Sequence, residues 1–301
     1  MGVQRGFVDL HVHLLPGVDD GPPDLDATLE LAGLEVADGI DTATATPHVA
    51  SLDVAEIPAR VAEVNAALRA AGIPLVVEGG GELGARGAAR LSAAELETIA
   101  HGPAGARWIL LEAPLDGAVG TLHRAADTLR AAGYGIVLAH PERCHPLFER
   151  DMAGLERELR LGSLAQVSSS SVLGLHGIRA RRNAVRMLAA GYAGLLASDA
   201  HGPRRPPSLT QAVRVACGFG LDPAHAHALC AERPRALLDE GLRPCAAGAG
   251  LPLPGEEPSE EPGVERADDG GGYVAGRELS VVKRLPPAAP GLGSALPSLS
   301  S

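Results

Sequence analysis

The chain has 301 residues, of which 46% are hydrophobic and only 2% aromatic, so it can bury a sizeable core, as one large α/β domain or two average ones, packed mainly from Ala, Val, Leu and Ile. A formal net charge of -11, with Lys283 as the single lysine, argues against a nucleic-acid partner. Cys144, Cys217, Cys230 and Cys245 form no Cys-x-x-Cys pair, no apolar run is long enough to span a bilayer, and the short lead into the first strand leaves no room for a signal peptide; a cytoplasmic protein without membrane insertion is expected.

Residues 7–12 read as an apolar strand carrying His11 and His13 two apart, hence on one face. The turn at Pro16-Gly17 and the carboxylates Asp19 and Asp20 follow. Neutral nitrogens and hard oxygens at a strand end suit a divalent metal, although a His-x-His pair also occurs incidentally on half-exposed strands. Residues 24–38 have helical spacing at Leu25, Leu29 and Ala32, with Asp24 or Asp26 as cap and Gly39 as stop. A β-prone run at 42–46 ends on Pro47-His48, and a helix over 55–71 closes at Gly72. A strand at 75–77 leads into a glycine turn that leaves Glu82 reachable, and 92–100 read as a helix capped by Ser92.

The strand at 108–111 ends on Glu112; after a helix at 121–132, the strand at 135–139 ends on His140-Pro141-Glu142-Arg143. A helix at 152–161, a strand at 164–167 with a serine run to 171, a helix at 178–190 and a strand at 194–197 follow, the last ending on Ser198-Asp199-Ala200-His201. Residues 246–301 turn Pro- and Gly-rich with an acidic patch, and are expected to be a disordered tail behind a folded domain of residues 1–245.

Such alternation implies parallel strands joined by helices. His11, His13, Asp20, His48, Glu82, Glu112, His140, Asp199 and His201 all fall at or just beyond the carboxyl ends of these strands. In a closed β/α barrel those ends form one rim, where such folds keep their chemistry. An open doubly wound sheet would scatter them along an edge, and no Gly-x-Gly-x-x-Gly turn follows the first strand.

Taken together, Asp-Leu-His11-Val-His13, Thr-Pro-His48, Gly-Glu82, Leu-Glu112, Ala-His140-Pro-Glu-Arg143 and Ser-Asp199-Ala-His201 resemble the PHP (polymerase and histidinol phosphatase) superfamily over about residues 6–240. Leu-Pro-Gly-Val-Asp-Asp-Gly after His13, with Arg143 and Arg205-Pro-Pro, is similar to the branch of bacterial manganese-dependent tyrosine-protein phosphatases of capsule and exopolysaccharide synthesis. The resemblance implies a distorted (β/α)7 TIM-like barrel with three divalent metal ions, manganese first, with zinc or iron as alternatives. It implies His11, His13, Glu112 and Asp199 as ligands of one ion, Glu82, Glu112 and His140 as ligands of a second, and Asp20, His48 and His201 as the third set. It implies that Arg143 and Arg205 hold the substrate phosphate, and that the partner is a phosphotyrosine-bearing protein, a bacterial tyrosine kinase. Val49 after His48 and the serines at 168–171 depart from the branch and bear on substrate preference.

Outside this set, Asp9 reads as an orienting or turn residue, Asp19 as a turn residue or ligand, and Glu78 and Glu142 as structural. Arg205 in Arg-Arg-Pro-Pro reads equally as a solvated surface arginine. His101, His123, His145, His176, His225 and His227 fall away from strand ends and read as surface or packing residues. No cysteine stands in a Cys-x-x-x-x-x-Arg phosphate loop, which argues against a thiolate mechanism. The rival activities are an alkyl phosphatase of the histidinol-phosphate type and a non-catalytic PHP regulatory module.

Overall fold

Among the described residues, eight short parallel strands, β1 (Phe7–Val12), β2 (Ile40–Ala45), β3 (Val76–Gly79), β4 (Glu82–Gly84), β5 (Trp108–Glu112), β6 (Gly135–Ala139), β7 (Leu164–Ser168) and β8 (Leu195–Ala197), pair in the orders β1-β2-β3 and β4-β5-β6-β7-β8. The computed structural model describes residues 6–115, 118–245 and 250–256. Two seams join the sheets into a closed barrel. At one, Val12 bridges Ala200, with Asp199 N donating to His11 O at 2.8 Å and His13 N to Ala200 O at 2.9 Å. At the other, His48 bridges Glu82, whose N donates to Pro47 O at 3.0 Å.

β3 and β4 amount to one strand broken at Gly80-Gly81. A Cβ at Gly80 would collide with the His101 ring, and one at Gly81 would press on Val49 and Ile99. Counted this way the barrel has seven strand positions, the distorted (β/α)7 arrangement that the resemblance implies. Glu82 therefore opens a strand, paired with Leu110, where a loop was expected; two glycines mask so short a strand in the sequence.

The helices are α1 (Leu25–Ala37), α2 (Ile57–Ala71), α3 (Ala93–Ile99), α4 (Val119–Ala131), α5 (Glu149–Arg160), the short α6 (Ser169–Leu173), α7 (Gly177–Ala189), α8 (Leu209–Gly218), α9 (Pro223–Ala228) and α10 (Glu232–Asp239). The Asp24 side chain caps α1, and Ser92 with Glu95 forms a full capping box on α3. The serine run is thus mostly helix, and α8 to α10 finish the domain.

The core lies in two layers. Strand and helix faces pack Leu31, Ile57, Leu68, Ile109, Leu138, Val167 and Met187 between barrel and helices. Inside the barrel, Val8, Leu10, Trp108, Leu110, Val137, Leu195 and Leu237 fill the amino-terminal half. α10 plugs that end, its Leu237 carbonyl accepting from Trp108 Nε1 at 3.0 Å. With the lower half filled by hydrocarbon, the polar residues are confined to the upper rim.

One expectation is corrected. Residues 250–256, assigned to the disordered tail, pack on α5 and beside the end of α7: Leu253 is buried, Leu251 N donates to Arg160 O at 2.8 Å, and the Arg160 guanidinium meets both Glu256 oxygens at 2.8 and 2.5 Å. One apolar anchor and one bidentate pair suffice, and the average composition of the tail conceals them. Residues 246–249 and 257–301 lie outside the described residues. Leu253→Ala should destabilise the domain by about 2 kcal/mol, read as a lower denaturation midpoint.

A second prediction concerns two carboxyls buried between β1 and α1. Burial pushes Asp9 up to about 6, and burial followed by the Asp9 and Asp38 charges pushes Glu35 well above the ordinary range. A carboxyl with a raised folded-state pKa binds its proton more tightly folded than unfolded, so its contribution is full at low pH and is lost as pH rises. Glu35→Gln cannot ionise, and its stability should fall less than that of the wild type between about pH 5 and about pH 8 in denaturant titrations. Equal slopes would show that Glu35 does not titrate in the fold.

Candidate metal centre

β1 is the irregular member of the barrel, with its pairing to β2 shifted between Asp9 and Val12. This bulge lets Leu10 line the apolar interior while His11, next in the chain, reaches the polar rim. His11 Nε2 lies 3.4 Å from Glu82 Oε2 and 3.5 Å from Asp199 Oδ1, and His13 Nε2 lies 3.5 and 3.7 Å from the same two atoms. His48 Nδ1 is 3.0 Å from Glu82 Oε2, and His140 Nε2 is 2.9 Å from Glu82 Oε1. His201 Nε2 and His48 Nε2 face Asp20 Oδ1 at 3.1 and 3.5 Å.

These atoms form four overlapping groups, each with its ligand atoms within 4.8 Å of one another: His13, Asp20, His48 and His201; His11, Glu82 and His140; His11, His13 and Asp199; and His48, Glu82 and Glu112. All nine residues singled out in the sequence are brought together. The sharing differs from the expected sets, because Glu82 stands in the middle, Glu112 meets only His48 and Glu82, and His13 joins the Asp20 set.

A divalent ion fits this donor set. His11 Nε2, His13 Nε2, His201 Nε2 and Glu82 Oε2 are buried without a hydrogen-bond partner. Buried polar atoms normally find partners, and so many orphans directed into one space of imidazole and carboxylate indicate a ligand.

Neighbouring groups set the tautomers. His13 Nδ1 lies 2.7 Å from Asp19 Oδ2, His11 Nδ1 3.1 Å from Gln166 Oε1, and His201 Nδ1 2.9 Å from the Asp199 carbonyl. With acceptors at Nδ1, each imidazole keeps its proton there and offers the Nε2 lone pair to the cluster. Asp19 also accepts from His48 N at 2.9 Å, and Gln166 from His140 N at 3.1 Å. Sequence reasoning missed Gln166 and left Asp19 open between turn residue and ligand. Asp19 read equally as a turn residue, whereas Gln166, a polar residue in an otherwise apolar strand, carried a signal that the adjacent serines obscured. Asp9 accepts from His11 N at 3.1 Å and Ser198 N at 3.0 Å and so fixes backbone at the seam.

Electrostatics follow from the crowding. Burial alone would strip protons from His11 and His13, yet the carboxylates of Glu82 and Asp199 outweigh it at His11, carrying it up to about 9, and Asp19 and Glu82 carry His13 up to about 10. Burial works to raise Asp199, but His11 and His140 hold it down at about 2. Burial and then the Glu82 charge raise Glu112. Burial and then His13 push His201 down to about 4.

Two arginines border the cluster. Arg143 Nη1 is 3.1 Å and Arg205 Nη2 2.7 Å from Asp199 Oδ2, and Arg205 Nη1 lies 3.8 Å from Asp20 Oδ2. Arg205 is therefore no free surface residue. His145 and His176, read as remote from the strand ends, instead line a cleft beside Arg143. His101 stacks on Trp108 at 4.3 Å and His123 bonds Glu158 at 2.6 Å, both as packing residues. Burial pushes Cys144 up to about 11 and Cys230 well above its ordinary value, so neither supplies a thiolate.

Residues 7–238 match the sequence pattern of the family described as capsular polysaccharide synthesis, CpsB/CapC. The tyrosine-protein phosphatase YwqE of Bacillus subtilis (strain 168) is 31% identical over 199 residues, which cover 65% of this chain and 77% of YwqE. CapC of Staphylococcus aureus is 29% identical over 216 residues, 68% of this chain and 81% of CapC. A solved structure from work on YwqE and on CpsB of Streptococcus pneumoniae, described there as unique metal-dependent tyrosine phosphatases, superposes with a TM-score of 0.64 at 27% identity, covering 79% of this chain and 99% of that one. The barrel with its rim of converging histidines and carboxylates therefore belongs to the CpsB/CapC family of capsular polysaccharide synthesis.

Proposed function

We propose that this chain is a metal-dependent phosphomonoesterase that hydrolyses protein phosphotyrosine, with a tyrosine kinase of capsule or exopolysaccharide synthesis as its partner in the cytoplasm. The observation that carries the reading is the meeting of unpartnered imidazole and carboxylate atoms with two guanidiniums around Asp199. The activity named for YwqE supports the substrate class, and the free state of all four cysteines fits a reducing compartment. Among the described residues no helix is long and apolar enough to cross a membrane.

His11, His13, Asp20, His48, Glu82, Glu112, His140, Asp199 and His201 would hold three divalent ions. Imidazole mixed with carboxylate and no thiolate suits manganese, and also admits zinc or iron. Such ions, when bound, supply a nucleophile at neutral pH and neutralise the phosphoryl oxygens. The remaining work belongs to the chain. Arg143 and Arg205 present planar, permanently charged donors to the phosphate oxygens from the Asp199 side, and their contacts strengthen as charge spreads over the equatorial oxygens. Asp19 keeps the proton of His13 on Nδ1 and Gln166 that of His11, so that the Nε2 of each stays available. The filled lower barrel closes the site from below, leaving the rim as the entrance. A phenolate, with a pKa near about 10, leaves with little help from a general acid, which suits an aryl ester.

Metal removal is the first test. Chelation followed by desalting should abolish hydrolysis of a phosphotyrosyl peptide, and manganese should restore it, with metal content following the rate. Because His11 and His13 hold protons tightly in the metal-free cluster, metal must displace them, and apparent affinity should rise as pH rises toward about 9. Full turnover in excess chelator with no metal detected would remove the metal mechanism, and preference for histidinol phosphate over the peptide would move the substrate to the alkyl class.

Arg143 is the second. Arg143→Ala should lower turnover about a hundredfold while metal content and melting temperature stay close to wild type, and Arg143→Lys should recover little, since an ammonium lacks the paired planar donors. Rate loss that merely follows metal loss would make Arg143 a support for Asp199 instead.

A further inference from the structure

The cleft beside Arg143 has a volume of about 280 Å³ and is lined by Leu115, Arg143, His145, His176 and Ala180. It is larger than the cavity of about 150 Å³ that takes up a benzene ring. Its lining suits one: two imidazole planes, an exposed leucine side chain and a small alanine, with no carboxylate. At one end stands Arg143, whose Nη1 is 3.1 Å from Asp199 Oδ2. A second cleft, of about 390 Å³, includes no member of the metal cluster among its lining residues.

The His176 imidazole is held from behind, and the exposed His145 ring makes one long contact. His176 Nδ1 lies 3.0 Å from the Oγ of buried Ser171 on α6. His145 Nδ1 lies 3.4 Å from Nδ2 of buried Asn183, which also donates to the Glu142 carbonyl at 3.0 Å. The half-buried His176 ring, anchored in this way, forms a preorganised wall that loses little side-chain freedom on binding.

We propose that this cleft is the seat of the substrate's phenyl ring, with His176 and Leu115 as the residues that set aryl specificity. The assignment rests on the phosphotyrosine reading above. A phosphate held at Arg143 and Arg205 directs the ester oxygen and its ring outward between His145 and His176. A serine or threonine phosphate, lacking the ring, leaves the cleft unfilled.

The test uses the manganese-loaded full chain, a phosphotyrosyl peptide as substrate and inorganic phosphate as competitive inhibitor. His176→Ala and Leu115→Ser should each raise KM for the peptide, His176→Ala by about tenfold, while the Ki of phosphate, which has no ring, stays within about twofold. His176→Phe retains an aromatic wall without the Ser171 contact and should restore much of the peptide affinity. If KM and Ki rise together, His176 acts on the phosphate site and the assignment falls; it falls too if neither moves in the variants. Leu115 is exposed, so Leu115→Ser remains informative where His176→Ala fails to fold. Wild-type protein that holds metal yet turns over no phosphotyrosyl peptide would overturn the functional reading and this inference with it, whereas normal wild-type turnover with unchanged variants removes the aryl seat alone.

Discussion

Glu82 is a carboxylate with 1% exposure surrounded by the imidazoles of His11, His13, His48 and His140. An isolated charge so deep would cost several kcal/mol, and the surrounding site can be understood as the set of groups that makes it tolerable. In the metal-free protein the compensation comes from protons on the histidines, which is why His11 and His13 titrate high despite burial. Divalent cations would perform the same service more strongly. The constraint runs in both directions, because imidazoles that must give up protons to bind metal need acceptors behind them, and Asp19 and Gln166 fill that place.

The same residues close the barrel. Both seams between the two sheets lie at the polar rim, and their backbone bonds come from His11, His13, Asp199, Pro47 and Glu82 or their immediate neighbours. Two strand ends are also held in the left-handed backbone region, His140 at φ 33° and Asp199 at φ 55°. Such conformations cost on the order of 1–3 kcal/mol each for residues with a Cβ and persist only where the surroundings over-determine them. Here His140 N is fixed by Gln166 Oε1 and Asp199 N by the His11 carbonyl. Ligand geometry and barrel closure are therefore a single problem, and a change at the rim is felt in both.

Much of this was legible in the sequence because its signal is local. Apolar strands ending on His or carboxylate repeat along the chain, and burial on both faces of each strand forces those polar residues to the ends. What stayed hidden depends on pairing across long separations. β4 is short and follows two glycines whose role is to admit His101, Val49 and Ile99, a reason visible only in three dimensions. Gln166 acts on His11 from β7, distant in the chain and brought close only by the strand pairing. His176 read as a surface or packing residue because no periodicity reveals that the turn between α6 and α7 folds back toward Arg143. The ordered stretch at 250–256 was lost in a composition dominated by Pro and Gly.

On the proposed reading, Asp199 keeps metal and substrate chemistry apart. Its Oδ1 faces His11 and His13, while its Oδ2 faces Arg143 and Arg205. Guanidiniums placed directly beside divalent cations would repel them. A carboxylate between the two positive groups removes that repulsion and fixes the arginines at a defined separation from the cluster. A phosphate entering the gap would meet donors on one side and cations on the other, and its negative oxygens would take over part of the role that Asp199 Oδ2 plays without substrate. Because Asp199 is itself held in a strained backbone conformation, its position is set by the barrel seam and not by whichever cation is nearest. The distance between the two arginines and the imidazole-carboxylate cluster is in this way a property of the fold.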